Sequence, residues 1–198
     1  MHRMSGTRAL RGLLSRWAAI VLAALAAGGA QANDSLWSML REGGYAVLIR
    51  HAATEPGVGD PPNFRLGDCS TQRNLSAEGR AEARRLGAAF RERKVPVERV
   101  LSSAWCRCQD TARLAFGEYE VWAPLNSFFA DSGRGAPQTR ALLERLASMP
   151  ARSNLVLVTH QVNITAATGV FPAPGEMVVV RAAAGGSLEL AGRIPPSR

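Results

Sequence analysis

The sequence predicts a three-layer α/β/α sandwich around a mostly parallel sheet. Three observations lead to this class. Strand-like segments recur at Tyr45–Arg50, Val97–Ser102 and Asn154–Thr159, the first and last of them compact and apolar. Stretches with helical spacing stand between them, as strand–helix–strand crossovers require. Two late apolar runs are joined by Ala183-Ala-Gly-Gly186, the pattern of a hairpin that makes one part of the sheet antiparallel.

The first 32 residues are read as a leader rather than as fold. Arg3, Arg8, Arg11 and Arg16 form a basic start with no acidic residue. An apolar run from Trp17 to Ala27 follows, and Ala30-Gln31-Ala32 is a small-x-small cleavage site. The run is short for a membrane span. The expectation is a signal peptide over residues 1–32, cleaved after Ala32, a periplasmic product, and no stable membrane insertion after cleavage. Setting these residues aside leaves 166 of the 198, enough for one domain (33–198) with a real core. The four arginines take the formal charge from +8 to +4. The remaining chain has one lysine, Lys94, and no basic run, which excludes nucleic acid as a partner.

The elements follow in order. Asn33-Asp34-Ser35 offers caps for a helix over Leu36 to Arg41, and Gly43-Gly44 ends it. Tyr45–Arg50 reads as a strand buried on both faces. Residues 52–75 are rich in Gly, Pro, Asp and Asn and form a long loop, of the length that usually carries function. Ser76-Ala-Glu78-Gly79 opens a helix to about Arg93, with Ala81, Leu86, Ala89 and Phe90 on one face. Val97–Ser102 is the second strand and Ala104 to Phe116 the next helix. A short strand over Val121–Leu125, a helix over Thr139–Met149 and the strand Asn154–Thr159 come next. A helical stretch to Thr168 and strands at Glu176–Arg181 and Ser187–Leu190 close the chain.

Two histidines remain beyond the leader, His51 and His160, and each directly follows an apolar strand. In a parallel sheet the crevice beyond the carboxyl ends of the strands is where ligands bind. A lone strand-end histidine is most simply a carbonyl cap; two at matching positions point to a site. Arg50 precedes His51, and Arg107 opens the helix after Val97–Ser102. A guanidinium presents a planar fork that matches phosphate oxygens two at a time. The loop run Cys69-Ser-Thr71-Gln72-Arg73-Asn74 is dense in donors of the same kind, and Thr71, Gln72 and Arg73 are candidate substrate contacts. Three cysteines in an exported chain suggest one disulfide and one thiol left over. Zinc is the rival reading, but Cys106-x-Cys108 has the wrong spacing for a knuckle.

These segments resemble the histidine phosphatase superfamily. Leu48-Ile-Arg-His51-Ala resembles its Arg-His-Gly signature. Leu75-Ser-Ala-Glu-Gly79 looks like its Leu-Thr-x-x-Gly helix opening. Ser102-Ser103-Ala-Trp-Cys-Arg107-Cys-Gln-Asp-Thr111-Ala112 resembles its Ser-Ser-x-x-x-Arg segment, and Val158-Thr159-His160 its second-histidine strand. The four occur in family order. The resemblance implies a phosphoglycerate mutase-like fold and a phosphomonoester hydrolase, with a phosphorylated small molecule or glycan as substrate and no metal or other cofactor. It implies that His51 is the nucleophile, that Arg50 and Arg107 clamp the phosphoryl oxygens, and that His160 donates to them. The leader and the loop over Cys69–Asn74 resemble the exported branch related to lipopolysaccharide-core heptose phosphatases.

Departures from the pattern matter as much. Gly57 stands about where mutases carry a phosphate-binding asparagine, which counts against a mutase. Ser127 stands where many members have a general-acid glutamate; the nearest carboxylate is Asp131, which burial beside Phe128 and Phe129 would keep protonated. Asp131 also fits the start of an Asp-Ser-Gly-Arg-Gly turn. The missing glutamate keeps open a non-catalytic phosphate- or glycan-binding protein of the same fold. Cys108 occupies the family's alanine position, so Cys69 is expected to pair with Cys106; pairing with Cys108 is the alternative.

Overall fold

The computed structural model describes residues 33–57, 59–150 and 152–196. The expected leader and its cleavage site lie outside the described residues. A helix over 33–42 (α1) ends where Gly43 and Gly44 both take positive φ. It leads into strand β1 (Ala46–Arg50), followed by the long loop and helix α2 (Ala77–Glu92). Strand β2 (Val97–Ser102), helix α3 (Cys106–Phe116) and a two-residue strand β3 (Glu120–Val121) come next. Helix α4 (Gly135–Ala147), strand β4 (Asn154–Thr159), helix α5 (Gln161–Thr168) and the antiparallel pair β5 (Met177–Ala182) and β6 (Leu188–Ile194) complete the fold.

The six strands lie in the order β3-β2-β4-β1-β5-β6. β1, β2, β3 and β4 pair parallel, whereas β5 runs antiparallel to β1. Alternation along each strand sends side chains to opposite faces. Val47 and Ile49 of β1 meet Leu86, Phe90 and Ala112 of α2 and α3, together with Trp37 and Leu40 of α1. Ala46 and Leu48 meet Leu142 and Leu146 of α4 and Ile164 of α5. The predicted three layers are therefore present, with a buried core on each side of the sheet.

Three expectations need correction. The strand predicted over Val121–Leu125 stops at Val121 and continues as a 3-10 turn over Ala123–Leu125. Pro124 has no amide proton to give to a ladder, so pairing cannot pass it. Helix α4 starts at Gly135, ahead of Thr139, because Pro137 lies in the first turn, where a missing N–H costs nothing. Strand β6 runs on to Ile194, beyond the expected Leu190.

The glycine of the Leu75-Ser-Ala-Glu-Gly79 motif has a steric cause. A Cβ at Gly79 would stand 1.8 Å from the carbonyl oxygen of Ala53, so only glycine lets α2 approach the turn behind His51. Ser76 caps the same helix by accepting from the Gly79 amide at 3.1 Å.

Candidate active site

The site begins with strand register. Arg50 of β1 pairs with Thr159 of β4, so the next residues, His51 and His160, leave the sheet side by side. The His51 amide donates to the Thr159 carbonyl at 3.0 Å, and the two imidazole centroids lie 5.5 Å apart. β2 delivers Arg107 to the same crevice through the first turn of α3. The loop after β1 folds back and brings Gly57, Gly59 and Arg73 to the opposite wall. Arg50, His51, Arg73, Arg107 and His160 thus line one pocket of about 270 Å³, and Ser127 and Phe129 sit at its mouth.

The surroundings of His51 fix its tautomer and its charge state. Its Nδ1 lies 2.9 Å from the Ala52 carbonyl, an acceptor only, so Nδ1 carries the proton and Nε2 keeps its lone pair. Burial, the positive charge of Arg107 and then that of Arg50 and Arg73 push its pKa down to about 3, against the opposing Ala52 contact. His160 is likewise driven well below its usual range, chiefly by burial and by the neighbouring His51. Its Nε2 lies 2.8 Å from the Ser103 hydroxyl. The same hydroxyl donates to the Asn126 side-chain oxygen at 3.3 Å. Trp105 packs edge-on against the same ring.

Charge in the pocket is unbalanced. The Nε atoms of Arg50, Arg73 and Arg107 are buried and find no acceptor among the described residues. Burial lowers the pKa of Arg50, and Arg73 and Arg107 lower it further. Burial and Arg107 do the same to Arg73. Guanidinium groups this close repel one another unless an anion lies between them. The group lacks neutralising negative charge except at Asp60, whose carboxylate meets Arg107 at 2.7 Å.

Asp60 was not singled out from the sequence. Its carboxylate also accepts from the Trp105 indole at 3.0 Å and from the Arg73 amide at 3.0 Å. Burial alone would raise its pKa, but the hydrogen bond and charge of Arg107 outweigh that and hold it low. Asp60 thus ties the loop to α3 and orients the guanidinium of Arg107. Its only sequence signal was its place in a Gly/Pro-rich loop. Thr111 and Glu82 were missed as well: each accepts a backbone amide behind His51, Ala52 at 3.1 Å and Ala53 at 2.9 Å respectively.

The remaining candidates divide. Arg73 lines the pocket, its guanidinium anchored on the Gly57 carbonyl at 2.7 Å. Gln72 is spent on structure, accepting from the Cys106 amide at 2.9 Å and donating to the Arg65 carbonyl. Thr71 is likewise a loop tie, bonded to the Asp68 carbonyl and the Arg65 amide. Neither forms part of the pocket wall. Cys69 and Cys106 are joined, and Cys108 is a buried free thiol. The expectation for Asp131 fails on its premise. Asp131 is exposed at the head of the turn Ser132–Arg134, and Phe129 beside it is itself 74% exposed, so the burial that the expectation required is missing.

Residues 46–127 match the model described as histidine phosphatase superfamily, branch 1. The matched segment contains Arg50, His51, Arg73 and Arg107, and the match supports an enzyme with phosphatase activity. His160 lies beyond the match and joins the site only through the sheet. Among solved structures, the fold is similar to the protein histidine phosphatase SixA complexed with tungstate. Identity is 17% and the TM-score 0.51, over 76% of this chain and 96% of that one. It is also similar to the alpha-ribazole phosphatase from Shigella flexneri, at 17% identity and TM-score 0.53, over 74% and 94%. The product of open reading frame Rv3214 from Mycobacterium tuberculosis aligns at 16% identity and TM-score 0.56, over 77% and 97%. The comparison with curated proteins found no match. No helix among the described residues is long and apolar enough to cross a membrane.

The geometry gives two expected results. Arg73→Ala should weaken binding of inorganic phosphate about ten- to a hundredfold, the usual worth of hydrogen bonds to a charged group. Calorimetric titration checks this, and an unchanged affinity would return Arg73 to the loop surface. The second concerns pH. His51 stays neutral at any pH above its lowered pKa of about 3. As pH falls from 7 to 4, kcat/KM should therefore show no protonation limb near 6.5 from the nucleophile, once the substrate's own ionisation is divided out. A limb near 6.5 that His51 substitution removes would contradict this.

Proposed function

We propose that the protein is an exported phosphomonoester hydrolase that works through a phosphohistidine on His51. The observation that carries this reading is that three arginines, whose buried Nε atoms find no acceptor among the described residues, line one pocket with His51. In the first step the Nε2 lone pair attacks phosphorus, the P–O ester bond breaks, and the leaving oxygen departs with the bonding electrons and takes its proton from solvent water. In the second, water attacks phosphorus and the P–N bond breaks, which returns neutral imidazole and releases orthophosphate. Arg50, Arg73 and Arg107 meet the charge spread over the equatorial oxygens, with His160 as a further donor. Such preorganised donors supply stabilisation without reorganising during the reaction.

Export rests on the basic-apolar-small pattern of residues 1–32. A periplasmic enzyme would meet sugar phosphates and the phosphates of a lipopolysaccharide core, the substrate class that the family resemblance implied. Its support is the leader alone. The Gly57 position disfavours a mutase, and the prepared Nε2 of His51 disfavours a mere binder. Release of phosphate from p-nitrophenyl phosphate by the purified protein tests the reading. Tight phosphate binding without turnover would make it a binding protein. Mass spectrometry of the periplasmic fraction should find a chain starting at Asn33; a membrane-bound product retaining Met1 would refute export.

A further inference from the structure

We propose that the apolar cleft beside the phosphate pocket is the leaving-group subsite, and that its preferred occupant is the planar ring of an aromatic phosphate monoester. The inference rests on the phosphatase reading and replaces the sugar-phosphate class suggested by the leader with aryl esters, on the evidence of the cleft. The cleft, about 340 Å³, is walled by Pro61, Pro62, Phe64, Trp105 and Phe129. It is continuous with the phosphate pocket, because Gly59, Arg107, Ser127 and Phe129 line both. A phosphoryl group seated among the arginines would therefore direct its ester oxygen past Ser127 and Phe129 into an apolar space.

The shape of that space suits a ring. Phe64 and Trp105 stack at 5.7 Å with a 36° tilt, and the Trp105 indole is held in place by its hydrogen bond to Asp60. Phe129 stands 74% exposed and lines both the cleft and the phosphate pocket. A large exposed aromatic at a pocket mouth is a common mark of ligand contact. Of the polar groups of the cleft, Arg107 and Ser127 also line the phosphate pocket, on the side where the ester oxygen would lie.

The proton balance points the same way. Asp60 is the carboxylate that lines the cleft, and Arg107 and Trp105 keep it ionised, a poor proton donor. An alkoxide leaving group needs a strong general acid. A phenolate, whose conjugate acid has a pKa of about 10, departs with far less help.

The test separates subsite from phosphate pocket. Calorimetry on the purified protein compares methylphosphonate with 2-naphthylmethylphosphonate, neither of which can be hydrolysed at a P–O ester. The naphthyl compound should bind about tenfold tighter, the scale of a ring contact plus its buried area. Phe129→Ala should bring the ratio of the two affinities close to one, and Phe129→Tyr should keep it. Equal affinities in the wild type, or a ratio that Phe129→Ala leaves untouched, would overturn the subsite. Failure to bind either phosphonate would overturn the phosphate pocket itself. Turnover of p-nitrophenyl phosphate without naphthyl preference would leave the phosphatase standing and the subsite refuted.

Discussion

Replacing His51 with alanine is expected to lower kcat/KM for p-nitrophenyl phosphate on the order of 10⁴-fold or more, because the covalent route disappears entirely. His51 is the histidine whose Nδ1 proton is committed to a backbone carbonyl, which leaves Nε2 free toward the pocket. His160 has its Nε2 engaged with Ser103 and so is less available for attack. His160→Ala should therefore cost less, about 10²–10³-fold, the loss typical of one oxyanion donor. A rapid alkaline quench with labelled substrate, followed by mass spectrometry, should find the phosphoryl group on His51. Phosphate on His160 and none on His51 would reverse the two roles.

Removing the bridge by Cys69→Ser is expected to lower Tm on the order of 10 °C. Cys69 and Cys106 close a loop with a sequence separation of 37. The chain-entropy relation gives a stabilisation of about 4 kcal/mol for a loop of that size, and each kcal/mol moves Tm by roughly 2–4 °C in a domain of this length. The loss should reach the site as well. The closed loop carries Arg73, and Asp60 just before it, while Cys106 adjoins Arg107, so the bridge holds two of the three guanidinium groups in register. Phosphate affinity should fall together with stability. Cys108 cannot substitute: burial pushes its thiol up to about 12, so it stays protonated and inert at neutral pH. Thermal melts with and without reductant read the effect, and superimposable curves would refute it.

Most of the fold was legible because the strands are simple. β2 and β4 fall at the expected residues; β4 is an apolar run closed by polar residues on each side, and β2 carries its buried apolar residues, Val100 and Leu101, at its carboxyl end. Helix α2 was readable from Ser76 and from the spacing of Leu86 and Phe90. The errors fell where local propensity competes with a proline. Pro124 ended a strand that the apolar letters Val121 to Leu125 suggested, and Pro137 opened a helix earlier than its periodic face did.

The site was legible only in part. His51, Arg50, Arg107 and His160 stand at strand ends or a helix start, where regular structure fixes position from sequence alone. Loop residues lack that anchor. Arg73, Gln72 and Thr71 looked alike as donors, yet only Arg73 reaches the pocket. Asp131 was expected to gain from Phe128 and Phe129, but Phe129 turns outward and leaves the carboxyl in solvent.

The sequence by itself determined the layers, the strand-end placement of both histidines and the family segment, because these depend on periodicity and on short-range spacing. Tertiary structure alone decided that Asp60 meets Arg107, 47 residues away, and that Phe64, Trp105 and Phe129 frame one cleft. The reason is physical. Strand register propagates over a whole sheet from a repeating pattern, whereas the path of a 24-residue loop is set by a few long-range contacts: here an ion pair, an indole hydrogen bond and a disulfide. None of those contacts has a period that can be read along the chain.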